Sequence, residues 1–191
     1  MSHVIIVGCG AIGGAVASRL SASGHRPVLV SRSESSIGRA RRQVPDAQVA
    51  VDVPDALHAA PAAPVFVTVD CVTSARTMLA GCLEGSPARL TGRSVIVALF
   101  DEPDRLDALL RDLAGAGARA CAVGFLATPD RVRSGGSPFV SDAGVGSPEA
   151  AILSVFGTQV VAPSPAVAAE LSLAAPALYG ALTVLHAWAV G

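Results

Sequence analysis

The chain has 191 residues, 51% hydrophobic and 15% charged, so it carries the apolar surface of a folded domain and is too short for two comfortable ones. Its formal charge is −1, all 14 basic residues are Arg, and aromatic residues make up only 4%. That balance offers neither the basic stripe nor the stacking platform that nucleic acid requires. Arg without Lys, beside abundant Ala and Gly, points to a GC-rich bacterial coding sequence. Cys9, Cys71, Cys82 and Cys121 show no paired or zinc-like spacing, and the four His do not cluster with them. Reduced thiols in a cytoplasm are therefore expected, with no metal. The start, Met1-Ser2-His3 and then an apolar run, lacks the basic and long apolar regions of a secretory signal.

Short β-branched runs alternate with Ala/Leu-rich segments of helical length, the pattern of strand-helix-strand units around a parallel sheet. Strands are predicted at 4–7, 27–30, 48–51, 65–69 and 94–98, as continuous apolar runs because both faces of such a sheet are covered. Helices are predicted between them at about 12–23, 34–43, 54–60, 72–84 and 103–115. In the last of these, Leu106, Leu109, Leu110 and Leu113 share one face. A strand at 118–123, a Gly/Ser/Pro loop through 134–138, a short strand at 139–141, a helix at 147–156 and a strand at 159–161 follow. From Leu171 to Gly191 no residue is charged, a length that nominates a membrane span. Pro176, Gly180 and His186 interrupt it and no basic flank accompanies it, so a helix buried between subunits is the preferred expectation. The predicted fold is α/β: a Rossmann-type, doubly wound, mostly parallel sheet at 1–162, followed by a long apolar C-terminal helix at 163–191.

Gly8-Cys9-Gly10-Ala11-Ile12-Gly13 directly follows the first strand and opens the first helix, the context of a dinucleotide fingerprint. Gly8 serves the tight turn, Gly10 the approach of a pyrophosphate, Gly13 close helix-strand packing, and the N–H groups at the helix start face the phosphates. After the second strand, where a carboxylate would hold the ribose diol of NAD, stand Ser31-Arg32-Ser33. A guanidinium and two hydroxyls suit a 2′-phosphate, so the cofactor expected is NADPH. Cys9 is expected to be a small packed residue rather than a reactive thiol. Asp101, Glu102 and Asp104 are expected to cap the helix after the fifth strand rather than bind a metal.

With these segments in hand, the chain resembles the imine reductase and β-hydroxyacid dehydrogenase group. The resemblance rests on Val7 to Gly13 with Gly24-His25, on Val67-Thr68-Val69-Asp70 with Ala75-Arg76, and on Leu90-Thr91-Gly92-Arg93. It rests more specifically on Gly124-Phe125-Leu126-Ala127-Thr128-Pro129 and on Leu178-Tyr179-Gly180 with Leu185-His186. It implies a Rossmann domain, NADPH held by Gly8, Gly10, Ala11, Ile12, Gly13, Ser31, Arg32, Ser33 and Val69, and hydride delivery to a C=N or C=O carbon. It also implies a dimer formed through the C-terminal helix. The chain departs from the group in stopping at Gly191, without the helical C-terminal domain, and in reading Leu99-Phe100-Asp101 where the group has an Asn and a Ser or Thr near the nicotinamide. The group's proton donor is an Asp, Tyr or Lys near the start of its interdomain helix; the nearest titratable residue here is Glu170, either a general acid if burial raises its pKa or a surface or helix-capping carboxylate. Tyr179, His186 and Trp188 are expected to pack.

The function expected is an NADPH-dependent reductase of a small-molecule imine or carbonyl, cytoplasmic and dimeric. Two alternatives stand beside it. One is a protein of the same fold that performs a non-redox step, such as a cyclisation; the other is a nucleotide-binding partner subunit of a complete reductase.

Overall fold

The computed structural model describes residues 2–85 and 89–174. In chain order its elements are β1 (His3–Val7), α1 (Ala11–Ala22), β2 (Arg26–Val30), α2 (Glu34–Gln43), β3 (Gln48–Val49), α3 (Val53–Ala59), β4 (Val65–Val67) and α4 (Val72–Ala80). After a π-helical turn at Gly81–Gly85 come β5 (Ser94–Val97), α5 (Pro103–Gly115), β6 (Arg119–Phe125), α6 (Pro129–Ser134), β7 (Phe139–Ser141), α7 (Pro148–Leu153), a 3-10 turn at Ser154–Phe156 and β8 (Gln159–Val161). Residues 165–174 are helical.

The strands form one sheet in the order β3-β2-β1-β4-β5-β6-β7-β8. The first six are parallel, with β1 paired to β2 on one side and to β4 on the other, so the order reverses between β1 and β4. Next, β7 runs antiparallel to β6, and β8 runs parallel to β7. The apolar runs read from the sequence are buried on both faces. Ile5, Val7, Val65, Val67, Val95 and Val97 face α3, α4, α5 and the helical stretch at 165–174. Val4, Ile6, Phe66 and Ile96 face α1, α6 and α7. Phe156 centres the second layer, its ring 6.0 Å from that of Phe66 and 5.1 Å from that of Phe125, in edge-on contacts that aromatic quadrupoles favour.

Helix α5 forms as its pattern demands. Pro103 sits in the first turn, where its missing N–H costs nothing, and the four leucines are all buried against the sheet. Each such side chain contributes roughly 1.5–3 kcal/mol of burial. Gly117, at φ +82°, turns the chain back into β6 with Ala118 N–H donating to Leu113 O.

Several boundaries differ from expectation. Strand β3 covers only two residues, and α4 ends at Ala80 because the backbone widens into the π turn. Helix α6 falls in a stretch where the sequence suggested none; with Val132 as its one buried residue it has no apolar periodicity to detect, although Pro129 marks its start. Of the C-terminal helix expected at 163–191, residues 163–164 form a bend, 165–174 are helical, and 175–191, including Tyr179, His186 and Trp188, lie outside the described residues. No helix among the described residues is long and apolar enough to cross a membrane.

Candidate dinucleotide-binding site

The strand order reverses between β1 and β4, and the chain leaves the carboxyl ends of these paired strands for helices on opposite faces, α1 and α4, which makes a crevice at that edge of the sheet. The glycine turn lies across it. Gly8 has φ +94°, a conformation that a side chain resists, and a Cβ there would stand 2.8 Å from both Thr68 O and Val69 Cγ1. A Cβ on Gly13 would press on the Gly8 carbonyl and stand 2.5 Å from Thr68 Oγ1. Gly10 is different: nothing lies within 4 Å of its Cβ position, so the space above it is open. Gly10 is also the N-cap of α1, and no side chain caps that end and no acidic residue occupies its first turn. The first N–H groups of a 12-residue helix, with its dipole behind them, are thus left facing the crevice. A diphosphate fits this cradle.

Thr68, just past β4, holds the turn in place. Its buried hydroxyl donates to Gly8 O at 2.6 Å and also lies 3.2 Å from Val7 O. Thr68 carries no sequence signal of this role, since only the fold brings it against residues 60 positions away.

On the β2 side, Arg32 is exposed and forms no salt bridge among the described residues. The neighbouring hydroxyls do structural work: Ser33 caps α2 by accepting the Ser36 N–H at 3.3 Å, and Ser31 Oγ accepts the Ser33 N–H at 3.3 Å. Asp70, beyond the end of β4, is exposed, and the Ser74 hydroxyl, backbone N–H groups and the charge of Arg32 hold its carboxyl below the usual carboxylate range. Val69 is half-buried behind the turn; Ala11 and Ile12 lie on the first turn of α1, Ala11 exposed and Ile12 half-buried.

Cys9 packs inside the turn, its Sγ 3.7 Å from Val30 O, and burial pushes its thiol up to about 11. Small-residue packing is what this geometry supports. The acidic cluster departs from expectation. Helix α5 has Glu102 at its N-cap with no side-chain cap bond. Asp101 instead reaches across to α4, accepting the Val72 N–H at 2.7 Å, while its other oxygen accepts the Glu102 N–H at 2.8 Å. Arg105 adds an ion pair at 3.3 Å. A carboxylate can cap any N-terminus that the fold brings near, and of the three Asp104 stands in the first turn of α5, where the helix dipole favours it. No group of His, Cys, Asp and Glu among the described residues could hold a metal.

Glu170 is exposed on the helical stretch at 165–174. Ser172 is the residue that meets the sheet, seated where a Cβ on Gly124 would be and donating to Ala168 O at 2.6 Å. Two residues apart on a helix means about 200° of rotation, so Glu170 points away from β6.

Fold and crevice together define a Rossmann-type α/β domain with its glycine turn at the switch point of the sheet. Residues 4–73 match the family described as ketopantoate reductase PanE/ApbA. Among solved structures the chain is similar to the Streptomyces aurantiacus imine reductase, at 21% identity and TM-score 0.82, over 99% of this chain and 65% of that one. It is similar to a reductive aminase from Aspergillus terreus, solved with NADPH and ethyl levulinate, at 24% identity and TM-score 0.77, over 98% and 63%. It is also similar to an imine reductase from Myxococcus stipitatus in complex with NADP+, at 19% identity and TM-score 0.75, over 97% and 65%. The chain thus has the fold of imine reductases and spans less than two thirds of their length. No curated protein matches its sequence.

Proposed function

We propose that this chain is the NADPH-binding part of a reductase that transfers hydride to an imine or carbonyl carbon of a small molecule, acting as a homodimer through its C-terminal helix. One observation carries it: an uncapped helix N-terminus behind the open Gly10, at the switch point of the sheet. The similarity to imine reductases solved with NADPH or NADP+ supports the same cofactor here. Gly10, Ala11, Ile12 and Gly13 offer N–H groups to the pyrophosphate, Gly8 and Val69 shape the turn beneath it, and Arg32 with Ser31 and Ser33 takes the 2′-phosphate. Bound NADPH supplies the hydride. Thr68 keeps the turn in register with β4, so the phosphates and the reacting end are held in one geometry. Glu170 is the candidate proton donor, in a dimer whose second subunit covers it and excludes water.

Calorimetric titration tests the reading. Micromolar NADPH binding, with clear preference over NADH, is expected; no binding of either would refute it. Turnover lost in Glu170→Gln with binding retained would assign the donor, and unchanged turnover would remove it. The exposure of Glu170 favours one other reading, a non-redox reaction in the same crevice, which would turn over substrate with no nicotinamide present.

A further inference from the structure

Helix α2 carries positive charge that no carboxylate neutralises. Between Ser31 and Gln43 stand four Arg and one acidic residue, a local charge of +3 in a chain of formal charge −1, so the remainder carries −4. Arg76, Arg105, Arg111, Arg119 and Arg133 each pair with a carboxylate. Arg39, Arg41 and Arg42 are exposed and form no ion pair among the described residues. Ala40 is the one buried residue of α2. Arg42 lies about 200° round the helix from it, and Arg39 and Arg41 lie about 100° to either side of it, so the three arginines take up the whole outer face.

Two of them lean toward the start of the helix, as the tilt of Cα–Cβ bonds directs. Arg39 Nη2 donates to Ser36 Oγ at 3.1 Å, and Arg42 Nη1 lies 3.9 Å from where a Cβ on Gly38 would stand. Like charges three residues apart repel, and a nearby anion relieves that repulsion. The end they lean toward is the mouth of the crevice, where Ser33 caps α2 and Arg32 precedes it. By the helical rise, the backbones of the three arginines stand roughly 9–14 Å from that cap. The Debye length is about 8 Å at 0.15 M ionic strength and about 30 Å at 0.01 M, so their field reaches past the mouth in dilute salt.

We infer that the arginine face of α2 is an electrostatic guide: Arg39, Arg41 and Arg42 draw the 2′-phosphate end of NADPH to Arg32 and speed its association without touching the bound molecule. This rests on the NADPH reading proposed above. The cofactor carries about four negative charges, and the −4 spread over the rest of the chain repels it, so approach is favoured along α2. Charges at the rim of a site act on the rate of association and its salt dependence, whereas groups in contact act on dissociation.

Stopped-flow fluorescence of NADPH tests this on the full chain, with dissociation measured by displacement with excess NADP+. In Arg39→Gln/Arg41→Gln/Arg42→Gln, association is expected to slow about 5- to 20-fold at 0.01 M ionic strength and less than about 3-fold at 0.15 M. Dissociation should change by less than about 1.5-fold. The triple Lys variant, which keeps the charges and loses the guanidinium forks, should associate like the native chain. Arg111→Gln removes a charge from α5, on the other face of the sheet, and should leave association within about 1.5-fold. Unchanged association in the triple Gln variant, a loss carried by faster dissociation, no rescue by Lys, or an equal loss per charge in Arg111→Gln would each overturn the guide and leave the cofactor reading in place. If the native chain binds no NADPH, both fall.

Discussion

Two glycines of one motif should respond to the same substitution in opposite ways. In Gly13→Ala the new methyl meets the Gly8 carbonyl and Thr68 Oγ1. Gly8 cannot retreat, because its N–H donates to Val30 O at 2.8 Å while its carbonyl accepts the Thr68 hydroxyl. Thr68 can give way only by rotating its hydroxyl off Gly8 O, a 2.6 Å bond, which strands a buried acceptor. Overpacking costs about 1–3 kcal/mol and the lost partner about 1–3 kcal/mol. A net of about 3 kcal/mol lowers Tm by roughly 6–12 °C in a domain of this size. In Gly10→Ala nothing lies within 4 Å of the methyl, and the backbone, at φ −67°, is open to any residue. Loss of a glycine cap costs at most about 1 kcal/mol. The methyl does stand where phosphate oxygens approach, and losing one or two charge-assisted hydrogen bonds weakens NADPH roughly 10- to 100-fold. Thermal unfolding and calorimetry on both variants separate the effects. A Gly13→Ala protein as stable as the native one, or a Gly10→Ala protein destabilised as much as Gly13→Ala, would refute the assignment of packing to one glycine and approach to the other.

Burial pushes the Asp142 carboxyl above its ordinary value, although the Ala122 N–H at 2.7 Å and its own backbone N–H oppose this. A raised folded pKa means stability present below the unfolded value and lost as pH rises through the folded one. Asp142→Asn should therefore gain stability at neutral pH and lose that advantage below about pH 4, as read by urea unfolding at both. Alkylation of the folded protein near neutral pH, followed by peptide mass mapping, should modify half-buried Cys71 before Cys9, whose thiol is both buried and raised to about 11. Cys9 reacting first would show that the turn opens.

The alternation of apolar runs with helical patterns was legible because a sheet covered on both faces writes itself as uninterrupted Val and Ile. The same holds for Gly8 to Gly13, where spacing and context together specify backbone geometry. What stayed illegible depends on long-range contact. Thr68 and Asp101 act on backbone groups that only the topology brings near, and neither residue type announces its target. Helix α6 is too short for periodicity, and the reversal at β7 leaves no mark in a three-residue strand. The side of the helix on which Glu170 lies is set by Ser172 packing on Gly124, a contact that the sequence does not announce.

The reversal of β7 has a consequence of parity. Each parallel strand from β1 to β6 climbs toward the crevice, and each helix α1 to α5 carries the chain back down. Because β7 and β8 both descend, the chain reaches the lower edge after a strand instead of a helix. The stretch at 165–174 must then climb, and Ser172 meets Gly124 one residue before the upper end of β6. One inverted pair of strands thus turns the helical stretch at 165–174 from an element that leaves the crevice into one that arrives at it.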